Sequence, residues 1–147
     1  MLKVGDDAPD FACPDGDGSP VRLHDLLKRG PVILYFYPMD FTPVCTSEAC
    51  LFRDAYEDLT ARGRQVIGVN TMSASSHERF RKKYELPFPL LADTQKTIVK
   101  AYGAAGLLGL MTHRVSYLIG TDGKIVDVAH GDFRLEPHQR FLERALR

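Results

Sequence analysis

Two cysteines, Cys45 and Cys50, stand in the run Pro38-Met39-Asp40-Phe41-Thr42-Pro43-Val44-Cys45-Thr46-Ser47-Glu48-Ala49-Cys50. A pair of thiols so close together is suited to redox chemistry. The first, as a thiolate, is the nucleophile; the second captures whatever oxidised form the first becomes. Thr42 followed by Pro43 reads as a helix N-cap with proline at the first helical position, which makes Cys45 the third helical residue. Backbone N–H groups without helical partners crowd that turn and the helix dipole is positive there, so both favour a thiolate over a thiol. Free cysteine titrates near ~8.5, and helix N-termini bring thiols to roughly 3.5–7.5.

The elements that must hold this turn are legible on either side. Val32–Tyr37 is a continuous β-branched and aromatic run ended by Pro38, the mark of a strand buried on both faces. The helix that follows is expected from Pro43 to about Ala61, with Gly63 as its stop. Its apolar face is Leu51, Phe52, Ala55, Tyr56 and Leu59. Gln65–Asn70 is a second buried strand. Ser75 to Glu78 matches a capping box opening a helix to about Tyr84. Phe88–Leu91 is a short extended segment, Thr94–Tyr102 a helix, and Arg114–Ile119 and Lys124–His130 strands joined at Thr121-Asp122-Gly123. Pro137–Leu146 closes the chain as a helix. The first 20 residues are mostly loop, with a small hairpin from Phe11–Cys13 and Val21–Leu23, then a helical turn at His24–Lys28. This order predicts an α/β protein of thioredoxin-like arrangement, a mixed central sheet flanked by helices, in one domain over residues 1–147.

The chain has 147 residues with 19 basic and 19 acidic side chains and no basic tract, so neither nucleic acid nor an anionic membrane is expected as a partner. No apolar run is long enough to span a bilayer, and Met1–Asp7 lacks the apolar stretch of a signal peptide, so a cytoplasmic protein is expected. The three cysteines are too few for a disulfide scaffold. The five histidines are scattered without zinc-finger spacing, and His113 reads as a loop residue. No metal or other cofactor is expected.

The motif Pro38-x-x-x-Thr42-x-x-Cys45 resembles the active-site signature of the peroxiredoxins. The fuller run from Phe36 to Cys50 is similar to the Q-type branch, the bacterioferritin comigratory proteins. Ala8-Pro9-Asp10-Phe11, Ser76-His77-Glu78-Arg79-Phe80, Phe88–Asp93 and Arg114–Ile119 fall in that branch's order and spacing. The resemblance implies a thiol peroxidase. Cys45 would be the peroxidatic cysteine, Thr42 and Arg114 the groups that orient peroxide and stabilise the thiolate, and Pro38 a screen against water. Glu48 would hold the arginine, and Cys50 would be the resolving cysteine. The resemblance further implies hydrogen peroxide or organic hydroperoxides as substrate, thioredoxin or a similar dithiol as reductant, and a monomer. Val44 stands where the branch often has glycine.

In an unbroken α-helix, residues five apart have Cα atoms roughly 8.7 Å apart, whereas a disulfide needs about 4.4–6.8 Å. The first turns of the helix are therefore expected to open if Cys45 and Cys50 join, and to be intact in the reduced protein. Cys13 reads as a bystander. Tyr37, Met39, Phe41 and Tyr117 are candidates for an apolar pocket rim. Two other functions fit the same fold. A general protein dithiol–disulfide oxidoreductase is opposed by the absence of Cys-x-x-Cys. A non-catalytic binding or chaperone module is opposed by the intact set Pro38, Thr42, Cys45 and Arg114.

Overall fold

The computed structural model describes residues 1–147 and sets the run Val32–Phe36 in the middle of a five-stranded sheet. In chain order the elements are β1 (Ala12–Pro14), β2 (Pro20–Arg22), α1 (Leu23–Leu27), β3 (Val32–Phe36), α2 (Pro43–Ala61), β4 (Gln65–Asn70), α3 (Ala74–Lys83) and β5 (Leu90–Ala92). They are followed by α4 (Thr97–Ala101), a 3-10 turn at Leu107–Gly109, β6 (Val115–Ile119), β7 (Ile125–His130) and α5 (Glu136–Ala145). β1 and β2 pair as a separate hairpin. The main sheet has the order β5-β4-β3-β6-β7, parallel from β5 to β3 and antiparallel from β3 to β7. This is the mixed sheet expected of a thioredoxin-like fold.

Every residue of β3 is buried because alternate side chains enter two cores. Val32, Leu34 and Phe36 pack with Ile67, Val69 and Tyr117 on one face. Ile33 and Tyr35 pack with Phe52, Phe80 and Phe141 on the other, and Cys45 belongs to this second core. Tyr35 stacks on Phe52 with ring centroids 4.4 Å apart. Gly68 makes that possible: a Cβ there would sit 3.0 Å from the Tyr35 ring and 2.7 Å from Leu90 Cδ2.

Two helix starts differ by more than one residue from the sequence expectation. α3 is capped by Ser73, whose Oγ accepts from Ser76 N at 3.2 Å, and not by Ser75. Ser75 and Ser76 lie inside the first turn, and the Ser76 hydroxyl turns inward instead. α4 begins at Thr97 and not at Thr94. Asp93 to Lys96 forms a tight turn with Lys96 in the left-handed region (φ 62°), and the Asp93 carboxylate accepts from Val99 N at 2.8 Å. An aspartate that bonds the backbone ahead of it competes with helix formation over the residues between.

Candidate active site

The loop between β3 and α2 carries Pro38 to Thr42 and is fastened from below by a buried charge. Asp40 is 3% exposed and accepts from Tyr37 Oη at 2.6 Å and from Ser76 Oγ at 2.7 Å. Its Oδ2 also lies 2.7 Å from His77 Nδ1, while His77 Nε2 lies 3.0 Å from the Leu91 carbonyl. Burial raises the Asp40 carboxyl, but the bonds and charge of His77 and the hydroxyls of Tyr37 and Ser76 more than offset it and hold the group below the usual carboxylate range. The His77 ring is thus held between the Asp40 carboxylate and the Leu91 carbonyl. These contacts tie the loop to α3 and β5. The next residue, Phe41, has φ 68°, a left-handed conformation strained for an aromatic residue, and its ring packs edge-on against Phe80 at 5.1 Å.

Thr42 is the N-cap of α2 and Pro43 opens it, as the sequence indicates. The Thr42 hydroxyl does not cap the helix; Oγ1 donates to the Met39 carbonyl at 3.2 Å and so braces the loop. Cys45 follows in the first turn, 1% exposed. α2 is continuous from Pro43 to Ala61, and Cys45 and Cys50 are free thiols.

The guanidinium comes from across the sheet. Antiparallel pairing sets Phe36 opposite Val115, so the end of β3 and the start of β6 lie side by side. Arg114, immediately before β6, therefore emerges beside the loop and is 2% exposed. Its Nη2 donates to Cys45 Sγ at 3.1 Å and its Nη1 to Glu48 Oε1 at 2.7 Å. On its remaining edge Nε donates to the Asp132 carbonyl at 3.1 Å, and the Arg114 backbone N–H donates to Asp132 Oδ1 at 3.0 Å. Asp132 reaches this position because β6–β7 pairing sets Val115 opposite His130. A planar guanidinium bound on three edges has little freedom to turn away from sulfur.

Behind the arginine lie two more buried groups. Burial pushes the Glu48 carboxyl up to about 7 against the pull of Arg114. Glu48 Oε2 has no hydrogen-bond partner; His138 Nδ1, from α5, is 3.4 Å away without suitable alignment. Burial pushes the His138 imidazole down to about 4 despite its bond to Gly131. His138 Nε2 lies 3.2 Å from the Gly131 carbonyl and so carries the hydrogen, which leaves Nδ1 to accept from Ser116 Oγ at 2.9 Å.

In front of the sulfur is a cavity of about 250 Å³, lined by Pro38, Met39, Thr42, Cys45, Met111, Arg114 and Phe133 among others. Its floor is the thiol and the guanidinium; its lip is the apolar side chains of Met39, Met111 and Phe133. A second cavity, of about 330 Å³, opens beside Cys13. It lies by the core on the opposite face of the sheet from Cys45. Burial, followed by the Asp93 charge, pushes the Cys13 thiol up.

The AhpC/TSA family profile matches residues 4–128. Peroxiredoxin Q, chloroplastic, of Oryza sativa subsp. japonica is 42% identical over 138 residues, which cover 93% of this chain and 63% of the rice protein. The chain thus spans less than two thirds of that relative's length. The namesake from Sedum lineare is 40% identical over 138 residues, 93% of this chain and 74% of its own. In three dimensions the crystal structure of Peroxidoxin BcpB from Mycobacterium tuberculosis matches with a TM-score of 0.90 and 36% identity, over 99% of this chain and 97% of that one.

The chain belongs to the peroxiredoxin family, in its Q-type branch.

Of the residues expected to do chemistry in this peroxiredoxin, Pro38, Thr42, Cys45 and Arg114 converge on the cavity, and Glu48 stands behind the arginine. Cys50 is half-buried further along α2 and does not line the cavity. Of the four residues expected on the apolar rim, one is there. Met39 lines the cavity, but Tyr37 and Tyr117 are fully buried in the two cores, where aromatic strand residues belong. Phe41 packs on Phe80. Met111 and Phe133 supply the missing part of the lip. Asp132 and His138 were not singled out by sequence reasoning: each acts on Arg114 or Glu48 through a pairing of distant segments, and neither stands in a motif. The Gly131-Asp132 pair after a strand is the only local hint, and it reads simply as a turn.

Proposed function

We propose that this peroxiredoxin is a thiol peroxidase in which Cys45 is the nucleophile. The observation that carries this reading is the 3.1 Å bond from Arg114 Nη2 to Cys45 Sγ, with the same guanidinium held by Glu48 and Asp132. A fixed cation on the sulfur favours the thiolate. It also stands ready for the negative charge that develops on peroxide oxygen, and needs no reorganisation when that charge forms. The cavity leaves room over the sulfur for a hydroperoxide, with Thr42 and Pro38 on its walls.

The Cys45 thiolate attacks the terminal oxygen of ROOH. The S–O bond forms, the O–O bond breaks, and RO⁻ leaves and takes a proton to become ROH; sulfur is oxidised to the sulfenic acid. The Cys50 thiol gives up its proton and its sulfur attacks the Cys45 sulfur; the S–S bond forms, the S–O bond breaks, and the hydroxide that leaves takes a proton to become water. An external dithiol of the thioredoxin type reduces the disulfide by two thiol exchanges and is itself oxidised. Because the helix holds the cysteines too far apart to bond, the first turns of α2 open in the second step.

Stopped-flow oxidation of the reduced protein by hydrogen peroxide tests this reading. Fast oxidation is expected in the wild type, is lost in Cys45→Ser, and survives as a single step in Cys50→Ser, which no longer turns over with thioredoxin. Arg114→Ala is expected to slow the first step by about 10²–10³-fold, the range for loss of one preorganised donor. Wild-type oxidation no faster than that of an ordinary free thiol would favour a protein dithiol–disulfide oxidoreductase instead.

A further inference from the structure

The antiparallel ladder that delivers Arg114 to the sulfur also gathers three potential metal ligands on the outside of the sheet. His113 precedes Arg114, His130 ends β7, and Asp132 follows two residues later. His113 Nδ1 lies 3.2 Å from each Asp132 carboxylate oxygen, and His130 Nε2 lies 3.1 Å from Oδ1. The three donor atoms all fall within 4.8 Å of one another. The imidazoles meet edge to face with centroids 5.5 Å apart. All three side chains are between about a quarter and a half exposed, so an ion can reach them from solvent.

We propose that His113, His130 and Asp132 form a binding site for a divalent first-row transition metal ion of the zinc class, with water completing its coordination. The spacing suits the ion. Zinc sits about 2.0–2.2 Å from imidazole nitrogen and carboxylate oxygen. Two such ligands are roughly 3.4 Å apart in a tetrahedron and 3.0 Å at a right angle, and the nitrogen–oxygen separations here lie between these values. The two imidazole nitrogens lie within 4.8 Å of each other. The ligand set selects the ion as well. Two imidazoles with one carboxylate suit zinc, cobalt, nickel or copper, whereas magnesium and calcium prefer all-oxygen sites. The carboxylate is oriented in advance by the Arg114 backbone N–H on Oδ1, the kind of outer hydrogen bond that steadies metal ligands. The Asp132 carbonyl meanwhile holds Arg114 Nε, so the same residue touches both the ion and the arginine that contacts Cys45.

The test is isothermal titration of Zn²⁺ into the full chain carrying Cys13→Ser, Cys45→Ser and Cys50→Ser, which removes thiol ligands. One zinc per chain is expected. Binding is expected to weaken at least tenfold on adding either His130→Ala or His113→Ala, with Mg²⁺ giving no heat at the same concentration. A thermal melt reads the same site independently: Zn²⁺ raises the midpoint of the thiol-free protein and leaves that of the His130→Ala form unmoved. Absence of Zn²⁺ binding, binding that survives both histidine substitutions, or equal binding of Mg²⁺ would each overturn the proposal.

Discussion

Glu48 Oε2 and His138 Nδ1 face each other at 3.4 Å in the second core, both residues fully buried. One is an acid pushed up to about 7 and the other a base pushed down to about 4. On folding, the proton that histidine would hold in the unfolded chain is in effect exchanged for one on the carboxyl. Glu48, with a raised folded pKa, contributes stability that is full below the ordinary glutamate range and lost as pH rises through about 7. His138, with a depressed folded pKa, contributes stability that is full above the ordinary histidine range and lost as pH falls through about 4. Between roughly pH 4.5 and 6.5 the two slopes oppose each other. Chemical denaturation across that window is expected to give a flat stability from this pair in the wild type. In Glu48→Gln stability should rise with pH, and in His138→Asn it should fall, each by up to about 1.4 kcal/mol per pH unit. Slopes of the same sign in both variants would contradict the assignment.

The Asp40–His77 pair holds the cysteine loop on the scaffold, so breaking it should damage stability and chemistry together. Asp40→Asn removes the buried carboxylate on which Tyr37, Ser76 and His77 converge, and taking one partner out of such a buried polar network costs about 3–5 kcal/mol. The peroxide rate should fall as well, since Pro38 and Thr42 ride on the same loop. Urea denaturation and stopped-flow oxidation of this variant measure the two effects. A stability loss under about 1 kcal/mol would show that the Asp40 carboxylate does not fasten the loop.

If α2 must open for Cys45 to reach Cys50, oxidation should leave a local signature. Amide hydrogen exchange is expected to speed up from Thr46 to about Phe52 in the disulfide form and to stay slow from Tyr56 to Ala61. Val44→Gly loosens the first turn by roughly 0.5 kcal/mol and should hasten disulfide formation about twofold without changing sulfenic acid formation. Unchanged protection across the first turns after oxidation would refute opening.

Tyr35 Oη is buried with no hydrogen-bond partner, while its ring stacks on Phe52 at 4.4 Å. An orphaned hydroxyl carries a desolvation cost of about 1–3 kcal/mol. Tyr35→Phe keeps the stack and removes that cost, so its thermal midpoint should be equal to or above that of the wild type. A clear loss of stability would mean that the hydroxyl is bonded after all.

The helix start at Thr42-Pro43 was legible because proline at the first helical position is a local signal, even though the Thr42 hydroxyl turns to the Met39 carbonyl and caps nothing, and the central strands because a continuous β-branched run admits few other readings. Where a side chain competes for backbone hydrogen bonds, the boundary moved. Ser73 took the cap expected of Ser75, and Asp93 delayed α4 to Thr97. Arg114 was found only through resemblance to a family; nothing local marks an arginine at a strand entrance as a partner of a cysteine 69 positions away. Asp132 and His138 had no such signal. Their roles come from strand register and from the docking of α5, which no short window of sequence encodes. Tyr37 and Tyr117 misled because aromatic residues in strands read alike whether they line a pocket or fill a core.

Under the proposed mechanism peroxide is reduced at Cys45, under Arg114, and not at Cys13. Adding one equivalent of hydrogen peroxide to reduced Cys50→Ser protein in the presence of dimedone, followed by peptide mass spectrometry, reads the site directly. A single adduct on Cys45, much diminished in Cys50→Ser carrying Arg114→Ala, is the expected result. An adduct on Cys13, or labelling of Cys45 that is indifferent to Arg114, would contradict it.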